Sequence, residues 1–149
     1  GGLYNPASIS NYVWLDDNAD GVQDASEEGI EGVTVNLTGT TGTGEVVTDE
    51  TVTDANGEYI FDGLTPGDYT VSVEIPTDLE ATPADQTTDD LDSDIDETGE
   101  MPTETLTSGE DNVDYDAGIY APASISNYVW EDTNGDGVQD ASEAPVEGL

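Results

Sequence analysis

Oxygen-bearing side chains recur at regular positions within residues 16–27. Positions one, three, five, nine and twelve of this stretch are Asp16, Asn18, Asp20, Asp24 and Glu27. Gly21 stands at position six, where the backbone must turn sharply, and Val22 at position seven can offer its carbonyl oxygen. This is the ligand spacing of an EF-hand loop, in which about six to eight oxygens surround one Ca²⁺. The stretch is therefore predicted to bind calcium.

The same spacing returns in residues 132–143. Its predicted ligands are Asp132, Asn134, Asp136, Val138, Asp140 and Glu143, with Gly137 at the turn position. One such match could arise by chance in an acidic chain, and the competing interpretation is a pair of solvated acidic turns. Two matches in the same slots favour two calcium loops.

The charge of the chain points to cations independently of these loops. Among 149 residues there are 36 Asp and Glu and no Lys, Arg or His, which gives a formal net charge of −36. Side-chain salt bridges are therefore impossible, and the compact state repels itself. Dissolved or bound cations must offset this repulsion, which fits a halophilic protein or a calcium-rich medium.

The missing residue types exclude several functions. Without basic residues, binding to nucleic acid or to an anionic membrane by charge is not expected. Without Cys and His, there is no disulfide, no thiolate or imidazole zinc site and no Ser-His-Asp triad. No apolar run approaches the ~20 residues of a membrane span. Carboxylate pairs of the glycosidase kind occur everywhere in this sequence and so discriminate nothing; we predict that the protein is not an enzyme.

A long internal repeat divides the chain. Residues 6–14, Pro-Ala-Ser-Ile-Ser-Asn-Tyr-Val-Trp, return unchanged as residues 122–130, an offset of 116. We expect residues 1–5 to end one repeat, residues 6–121 to form a complete one, and residues 122–149 to begin the next. The chain does not begin with Met, and we expect it to be a segment of a longer protein.

Short alternating runs within the repeat predict strands rather than helices. Seven are expected, at residues 9–14, 33–38, 46–53, 59–61, 69–75, 104–107 and 113–119. In the last run Val113, Tyr115, Ala117 and Ile119 are predicted to face inward, with Asp114 and Asp116 outward. Turn signals separate the runs, and Asn56-Gly57 predicts a hairpin turn. The pattern predicts an all-β, seven-stranded sandwich.

A long polar loop, residues 76–102, carries a dense acidic segment. Carboxylates packed this closely repel one another unless a cation collects them. Its candidate ligands are Asp90, Asp92, Asp94 and Asp96. Their spacing fits no unique ligand scheme, so a flexible acidic loop is the alternative.

Several stretches resemble a known family. Residues 53–69, Thr-Asp-Ala-Asn-Gly-Glu-Tyr-Ile-Phe-Asp-Gly-Leu-Thr-Pro-Gly-Asp-Tyr, are similar to the core signature of B-type (Cna-B-like) repeats in bacterial cell-surface adhesins. Residues 8–14 with the following loop resemble the serine-aspartate-repeat, SdrD-like branch, as do residues 91–96. The resemblance implies a prealbumin-like, Ig-like sandwich with calcium in its loops, repeated in tandem as a stiff stalk outside the cell. Many B-type relatives carry a Lys–Asn crosslink, which a chain without Lys cannot make.

These observations predict a structural calcium-binding repeat of an extracellular or cell-surface stalk, fibre or filament. Each loop follows the first strand of its repeat, near the junction at Pro6 or Pro122, where a bound ion would fix the angle between repeats. The expected partners are neighbouring repeats or identical subunits.

Two alternatives remain open. Residues 121–149 are predicted to supply one strand, a copy of the first, then one calcium loop and the start of another strand. They cannot close a sandwich alone, so they either continue a longer array or are completed by strand addition from another chain. The protein could instead be an adhesive ligand-binding module, with Tyr12, Trp14, Tyr128 and Trp130 as stacking residues, although aromatic residues near strand ends usually pack.

Overall fold

The computed structural model describes all 149 residues, and every strand lies within residues 7–120. The nine strands are β1 (Ala7–Leu15), β2 (Thr34–Thr41), β3 (Val46–Val52), β4 (Glu58–Leu64), β5 (Gly67–Val73), β6 (Glu80–Ala81), β7 (Glu104–Leu106), β8 (Asp111–Asn112) and β9 (Ala117–Tyr120). There is no helix, and so none that could cross a membrane. The predicted all-β class is confirmed.

The strands form two sheets. One has the order β4-β1-β9-β6, with β8 also paired to β1, and the other has the order β3-β2-β5-β7. β1 is antiparallel to β4 and parallel to both β8 and β9. β3 and β7 are the edge strands of the second sheet.

The core lies between the two sheets and follows the alternation of the sequence. Val35 and Leu37 of β2 and Tyr69 and Val71 of β5 are fully buried, while the intervening Thr and Asn side chains face outward. Burying such side chains contributes roughly 1.5–3 kcal/mol each. The long loop also reaches the core, since Ile95 and Met101 belong to the same cluster.

The number of strands differs from the predicted seven. β6 and β8 have two residues each, too short to leave an alternating pattern. The last predicted strand is also interrupted, because the chain leaves β1 after β8 and returns only at Ala117. In this gap the Asn11 side chain donates to the Val113 carbonyl, and Val113 is 55% exposed rather than buried.

Asp116 was also placed wrongly by the alternation, because it is buried. The long loop covers the outer face of the sheet at this point. Asp94 N donates to Asp116 O over 2.9 Å, and Gly118 N donates to Ser93 Oγ over 3.1 Å. Because both faces of the chain are covered here, residues 116–119 are all buried, whichever way their side chains alternate.

Residues 121–149 contain no strand, although their sequence repeats β1. The strand predicted for residues 122–130 is therefore wrong for this chain. No hydrogen bond joins this segment to the rest, so the copy of β1 has no neighbouring strands to pair with. Only an isolated bridge between Trp130 and Pro145 remains.

The sandwich has two distinct ends. The turn end holds the tight connections around Gly42, Thr65 and Ser108, where β1 begins. The loop end holds residues 16–33 and the long loop, where β1 and β9 both stop, side by side. The chain thus enters residues 7–120 at one end and leaves at the other.

Candidate metal centres

The first twelve-residue loop lies at the loop end of the sandwich. Asp16 N donates to Ile119 O over 2.9 Å, and Gln23 N donates to Leu91 O over 2.7 Å. The loop is therefore far from Pro6, at the start of β1, and close to the end of β9. Of the two junctions in the prediction, only the one at Pro122 adjoins this loop.

Backbone amides hold the predicted ligand side chains in place. The donor–acceptor pairs are Gly21 N to Asp16 Oδ2 (2.9 Å), Asp20 N to Asn18 Oδ1 (3.0 Å), Val22 N to Asp20 Oδ1 (2.8 Å), Asp17 N to Glu27 Oε1 (2.9 Å) and Asp24 N to Glu27 Oε2 (2.9 Å). Gly21 has a φ of +78°, which only glycine adopts without strain. The side chains of the loop thus fix its backbone conformation by accepting hydrogen bonds from its own amides.

Asp16 has the most demanding environment in this loop. It is 1% exposed, and its Oδ1 atom is buried without any hydrogen-bond partner. Burial alone would raise the pKa of Asp16, but hydrogen bonds from Thr82 and Gly21 hold that pKa below its ordinary value. The side chain is therefore a buried carboxylate with one unsatisfied oxygen, which is costly without a cation or donor.

The residues of the loop fit Ca²⁺ by donor chemistry. All available ligands are oxygens, as a hard cation prefers, and Asp16 Oδ1 is the atom that most needs a partner. No group of three or more acidic side chains is already gathered as a metal cluster. The fit therefore rests on the oxygen donors and on Asp16.

The second loop repeats the hydrogen bonds of the first. Gly137 N donates to Asp132 Oδ2 (2.8 Å), Val138 N to Asp136 Oδ1 (2.8 Å) and Asp140 N to Glu143 Oε2 (2.9 Å). Asp132 is exposed, and its pKa is lowered chiefly by the Gly137 amide. Only Glu143 is buried among the predicted ligands.

The acidic segment packs against the first loop, but its four candidates separate. Asp92 is 2% exposed and Asp94 is half-buried, whereas Asp90 and Asp96 are exposed. Asp96 caps a turn by accepting from Thr98 N and Glu100 N over 2.8 and 3.0 Å. Two of the four candidates thus point into the structure and two do not.

A carboxylate missed by the sequence joins Asp92 and Asp94. Asp116 N donates to Asp94 Oδ2 over 2.8 Å. Burial, together with the neighbouring carboxylates, raises the pKa of Asp94 to about 7 and that of Asp116 to about 8. Binding of a proton or a cation would therefore relieve the repulsion between the Asp94 and Asp116 carboxylates.

Thr82 is the other functional residue that the sequence did not indicate. Its hydroxyl donates to Asp16 Oδ2 across 66 positions of sequence. No local sequence pattern predicts such a contact, since threonine is common in polar loops.

Of the four aromatic residues near the loops, one is fully buried, one is exposed and two are half-buried. Trp14 is fully buried, and its ring stacks on Tyr12 with centroids 6.5 Å apart. Tyr128 and Trp130 stack at the same distance. Gly118 is required here, because a side chain at that position would collide with Trp14 and Thr82.

Comparison with known proteins identifies the family. The SdrD B-like domain matches residues 7–119. The chain belongs to this family. Serine-aspartate repeat-containing protein F of Staphylococcus epidermidis is 41% identical over 99% of this chain, and protein D of Staphylococcus aureus strain Newman is 41% identical over 95%. The chain spans only 9% and 10% of these relatives.

The family also settles the location of the SdrD B-like chain. Its relatives are cell-surface adhesins, so the predicted extracellular or cell-surface location is confirmed. Their names describe no enzymatic activity.

Solved structures share the fold at low sequence identity. GBS52, the minor pilin of Streptococcus agalactiae, superposes with a TM-score of 0.52 at 11% identity, covering 84% of this chain and 48% of the pilin. The plantain pollen allergen Pla l 1 gives 0.52 at 12% identity, covering 81% of this chain and 98% of the allergen. Proteins of such different kinds support the sandwich alone and not a shared function.

Proposed function

We propose that this protein is a structural, non-enzymatic repeat of an extracellular stalk or fibre, stiffened by calcium at the end where the next repeat begins. The observation that carries the proposal is Asp16 Oδ1, a buried and unpartnered carboxylate oxygen in a loop with EF-hand spacing. Ca²⁺ would supply the positive charge that this chain lacks.

The loop residues would hold the ion in named roles. Asp16, Asn18, Asp20 and Asp24 offer side-chain oxygens, Val22 its carbonyl, and Glu27 both carboxylate oxygens. Residues 132–143 would bind a second ion in the same way. We extend the proposal to the acidic segment, where Asp92 and Asp94, with Asp116, are the better placed ligands and Asp90 and Asp96 the poorer ones.

The division into repeats is part of the proposal. Residues 1–5 would end one repeat, residues 6–121 form the next, and residues 122–149 begin a third. Entry and exit at opposite ends of the sandwich support a linear array, because successive sandwiches then extend rather than fold back.

Assembly by strand addition is the less favoured form of the proposal. The copy of β1 in residues 123–130 could replace β1 of another chain, but it would form only the contacts that it displaces. Such an exchange yields little net free energy. Size-exclusion chromatography with light scattering tests it: a monomer at all concentrations rejects exchange, and a concentration-dependent series of oligomers supports it.

Thermal unfolding with and without EDTA, at a fixed high NaCl concentration, tests the proposal. A ligand that binds only the folded form stabilises it by RT ln(1 + [L]/Kd). We expect EDTA to lower the melting temperature by about 10 °C, which corresponds to about 3 kcal/mol. Calcium should restore it and magnesium should not, because Mg²⁺ demands a smaller octahedral site. An unchanged melting temperature would reject calcium as a structural ion.

An adhesive module is the second candidate. An open cavity of about 780 Å³ lies between the edges of β3 and β4, lined in part by Tyr12, Gln23, Asp54 and Ile60. A cavity lined by both apolar and polar side chains, including Tyr12 and Tyr59, suits a neutral ligand. Binding in a glycan or peptide array that Tyr12→Ala abolishes would support this function; no binding would leave the structural one.

A further inference from the structure

The residues that precede β1 are held by the turn end of the sandwich. Tyr4 Oη lies 3.1 Å from Thr65 Oγ1. Asn5 N donates to Ser108 Oγ over 2.8 Å, and Gly109 N donates to Asn5 O over 2.9 Å. Two separate turns, between β4 and β5 and between β7 and β8, therefore form hydrogen bonds with the adjacent residues Tyr4 and Asn5.

Tyr4 corresponds to Tyr120 in the repeat of the sequence. Both follow a Gly-apolar pair, at the repeat offset of 116. Tyr120 is the last residue of β9, and its hydroxyl donates to Glu80 Oε2 over 2.7 Å. The tyrosine at this position of the repeat therefore occurs twice in the structure. Tyr120 contacts its own sandwich, whereas Tyr4 contacts the sandwich that follows it.

The two contacts are compatible in one tyrosine. A phenol hydroxyl donates one hydrogen and can also accept one. Glu80 can only accept when ionised, whereas Thr65 can donate its hydroxyl hydrogen. The tyrosine hydroxyl hydrogen therefore goes to Glu80 alone, and the tyrosine oxygen accepts the hydrogen of Thr65.

We propose that the tyrosine at the end of β9 bridges consecutive repeats. Its O–H donates to the carboxylate of Glu80 in its own repeat and accepts from the Thr65 hydroxyl of the next. The partner is a second copy of this sandwich, joined head to tail. This inference rests on the tandem arrangement of the proposed function.

The residue after the tyrosine contributes through its backbone. Position 5 is Asn and position 121 is Ala, and both can make these contacts because Asn5 uses only its N–H and C=O groups. Proline follows at both positions, which restricts that residue to extended conformations. Gly109 has a φ of +75°, and an added Cβ would lie 3.2 Å from Asn5 Cβ.

The bridge adjoins the first loop. Glu80 and Ala81 form β6, which pairs with the end of β9, and Thr82 immediately afterwards donates to Asp16. The residues that order Asp16 and the residues that receive the next repeat therefore belong to one short segment.

Amide hydrogen exchange of the full 149-residue chain, followed by NMR, tests the bridge. We expect Asn5 and Gly109 to exchange about ten- to hundredfold more slowly than unstructured amides, as three cooperating hydrogen bonds allow. Tyr4→Phe and Thr65→Val should each reduce the protection of Asn5, and the double variant should reduce it no further than either alone.

Tyr120→Phe is the matched control. It removes the same hydroxyl where no following Thr65 exists, so the protection of Asn5 should not change. Exchange of Asn5 at the unstructured rate, or an equal effect of Tyr4→Phe and Tyr120→Phe, would overturn the bridge.

The result is separable from the calcium experiment. Protection of Asn5 without an effect of EDTA on melting would reject the calcium role and keep the contact between repeats. An EDTA effect with an unprotected Asn5 would reject the contact and keep the calcium role.

Discussion

The two twelve-residue loops have the same internal hydrogen bonds and different surroundings. Residues 16–27 are hydrogen-bonded to β9 and to the long loop, while the hydrogen bonds of residues 132–143 all stay within residues 121–149. Even the flanking backbone contacts agree: Ile30 N donates to Val13 O and Val146 N donates to Val129 O, each over 2.9 Å. The shape of the loop is therefore encoded locally, within some twenty residues.

The environment, by contrast, is supplied by the sandwich. Asp132 Oδ1 accepts from Gly135 N and Asp136 N over 2.7 and 3.2 Å. Asp16 Oδ1 is buried and forms no such hydrogen bond, although the equivalent Ala19 and Asp20 amides lie close enough to lower the pKa of Asp16. The loop conformation therefore forms without support from the sandwich. A metal ion in the loop would stabilise the sandwich only where the ligands are buried against it.

The largest expected difference follows from removing the first ligand of each loop. Asp16→Ala deprives the Gly21 amide and the Thr82 hydroxyl of their acceptor and would also remove the first ligand of the proposed ion. We expect a loss of about 3 kcal/mol, seen as a fall of about 10 °C in melting temperature with calcium present.

Asp132→Ala is the control for this change. It should remove one calcium from the binding stoichiometry in titration calorimetry and alter the melting of the sandwich by less than about 0.5 kcal/mol. Equal destabilisation by both variants would mean that burial of the loop does not decide its contribution.

Sequence reasoning succeeded where a structure is local. The alternation of Val35 and Leu37 was enough to place β2. The hairpin predicted at Asn56-Gly57 is wrong, because this turn connects β3 and β4, which pair in different sheets. The family signature in residues 53–69 then identified the sandwich, and the family match confirms it.

It failed where distant segments decide the environment. Asp116 looked like an outward residue because nothing near it in sequence reveals that Asp94 lies above it. Thr82 carries no local signal for its contact with Asp16, 66 positions away. Residues 122–130 repeat residues 6–14, which include all but the last residue of β1, yet they form no strand, because pairing needs partner strands as well as strand propensity.

The turn glycines give a second, smaller contrast. Gly21 and Gly137 have φ values of +78° and +75°, so alanine is strained at both by about 1 kcal/mol. A Cβ at Gly21 would also collide with the Pro83 carbonyl, whereas nothing lies within 4 Å of one at Gly137. We expect Gly21→Ala to cost about 2 kcal/mol in denaturant unfolding and Gly137→Ala to leave the sandwich unchanged. Similar costs would show that strain, not packing, dominates at Gly21.

The buried carboxylates beside the first loop predict a pH dependence that the second loop lacks. Asp116 faces Asp94, Asp92 and Asp114, and Asn11 donates to it. Because the folded-state pKa values of Asp94 and Asp116 lie above the ordinary value, at about 7 and about 8, the folded protein holds more protons than the unfolded chain. Their effect on stability is therefore most favourable at low pH and is lost as the pH rises through these values.

Calcium-free protein at fixed NaCl should accordingly melt at a lower temperature at pH 9 than at pH 5. Asp116→Asn should flatten this dependence, because a neutral amide replaces a carboxyl that must ionise in a buried site. Asp114→Asn, which changes an exposed neighbour, should flatten it much less. Equal flattening by both variants would assign the dependence to the overall charge of −36.

The smallest expected effect lies at a position where the two loops differ. Ala19 has a φ of +56° and its counterpart Gly135 a φ of +75°. Relieving the strain of Ala19 gains about 1 kcal/mol, and the greater freedom of glycine in the unfolded chain takes back about 0.4–1 kcal/mol. Ala19→Gly should therefore stabilise the protein by at most about 0.5 kcal/mol in denaturant unfolding. A loss of about 1 kcal/mol would instead show that the Ala19 methyl group, which lines a cavity with Pro83 and Tyr120, contributes to packing at the loop end.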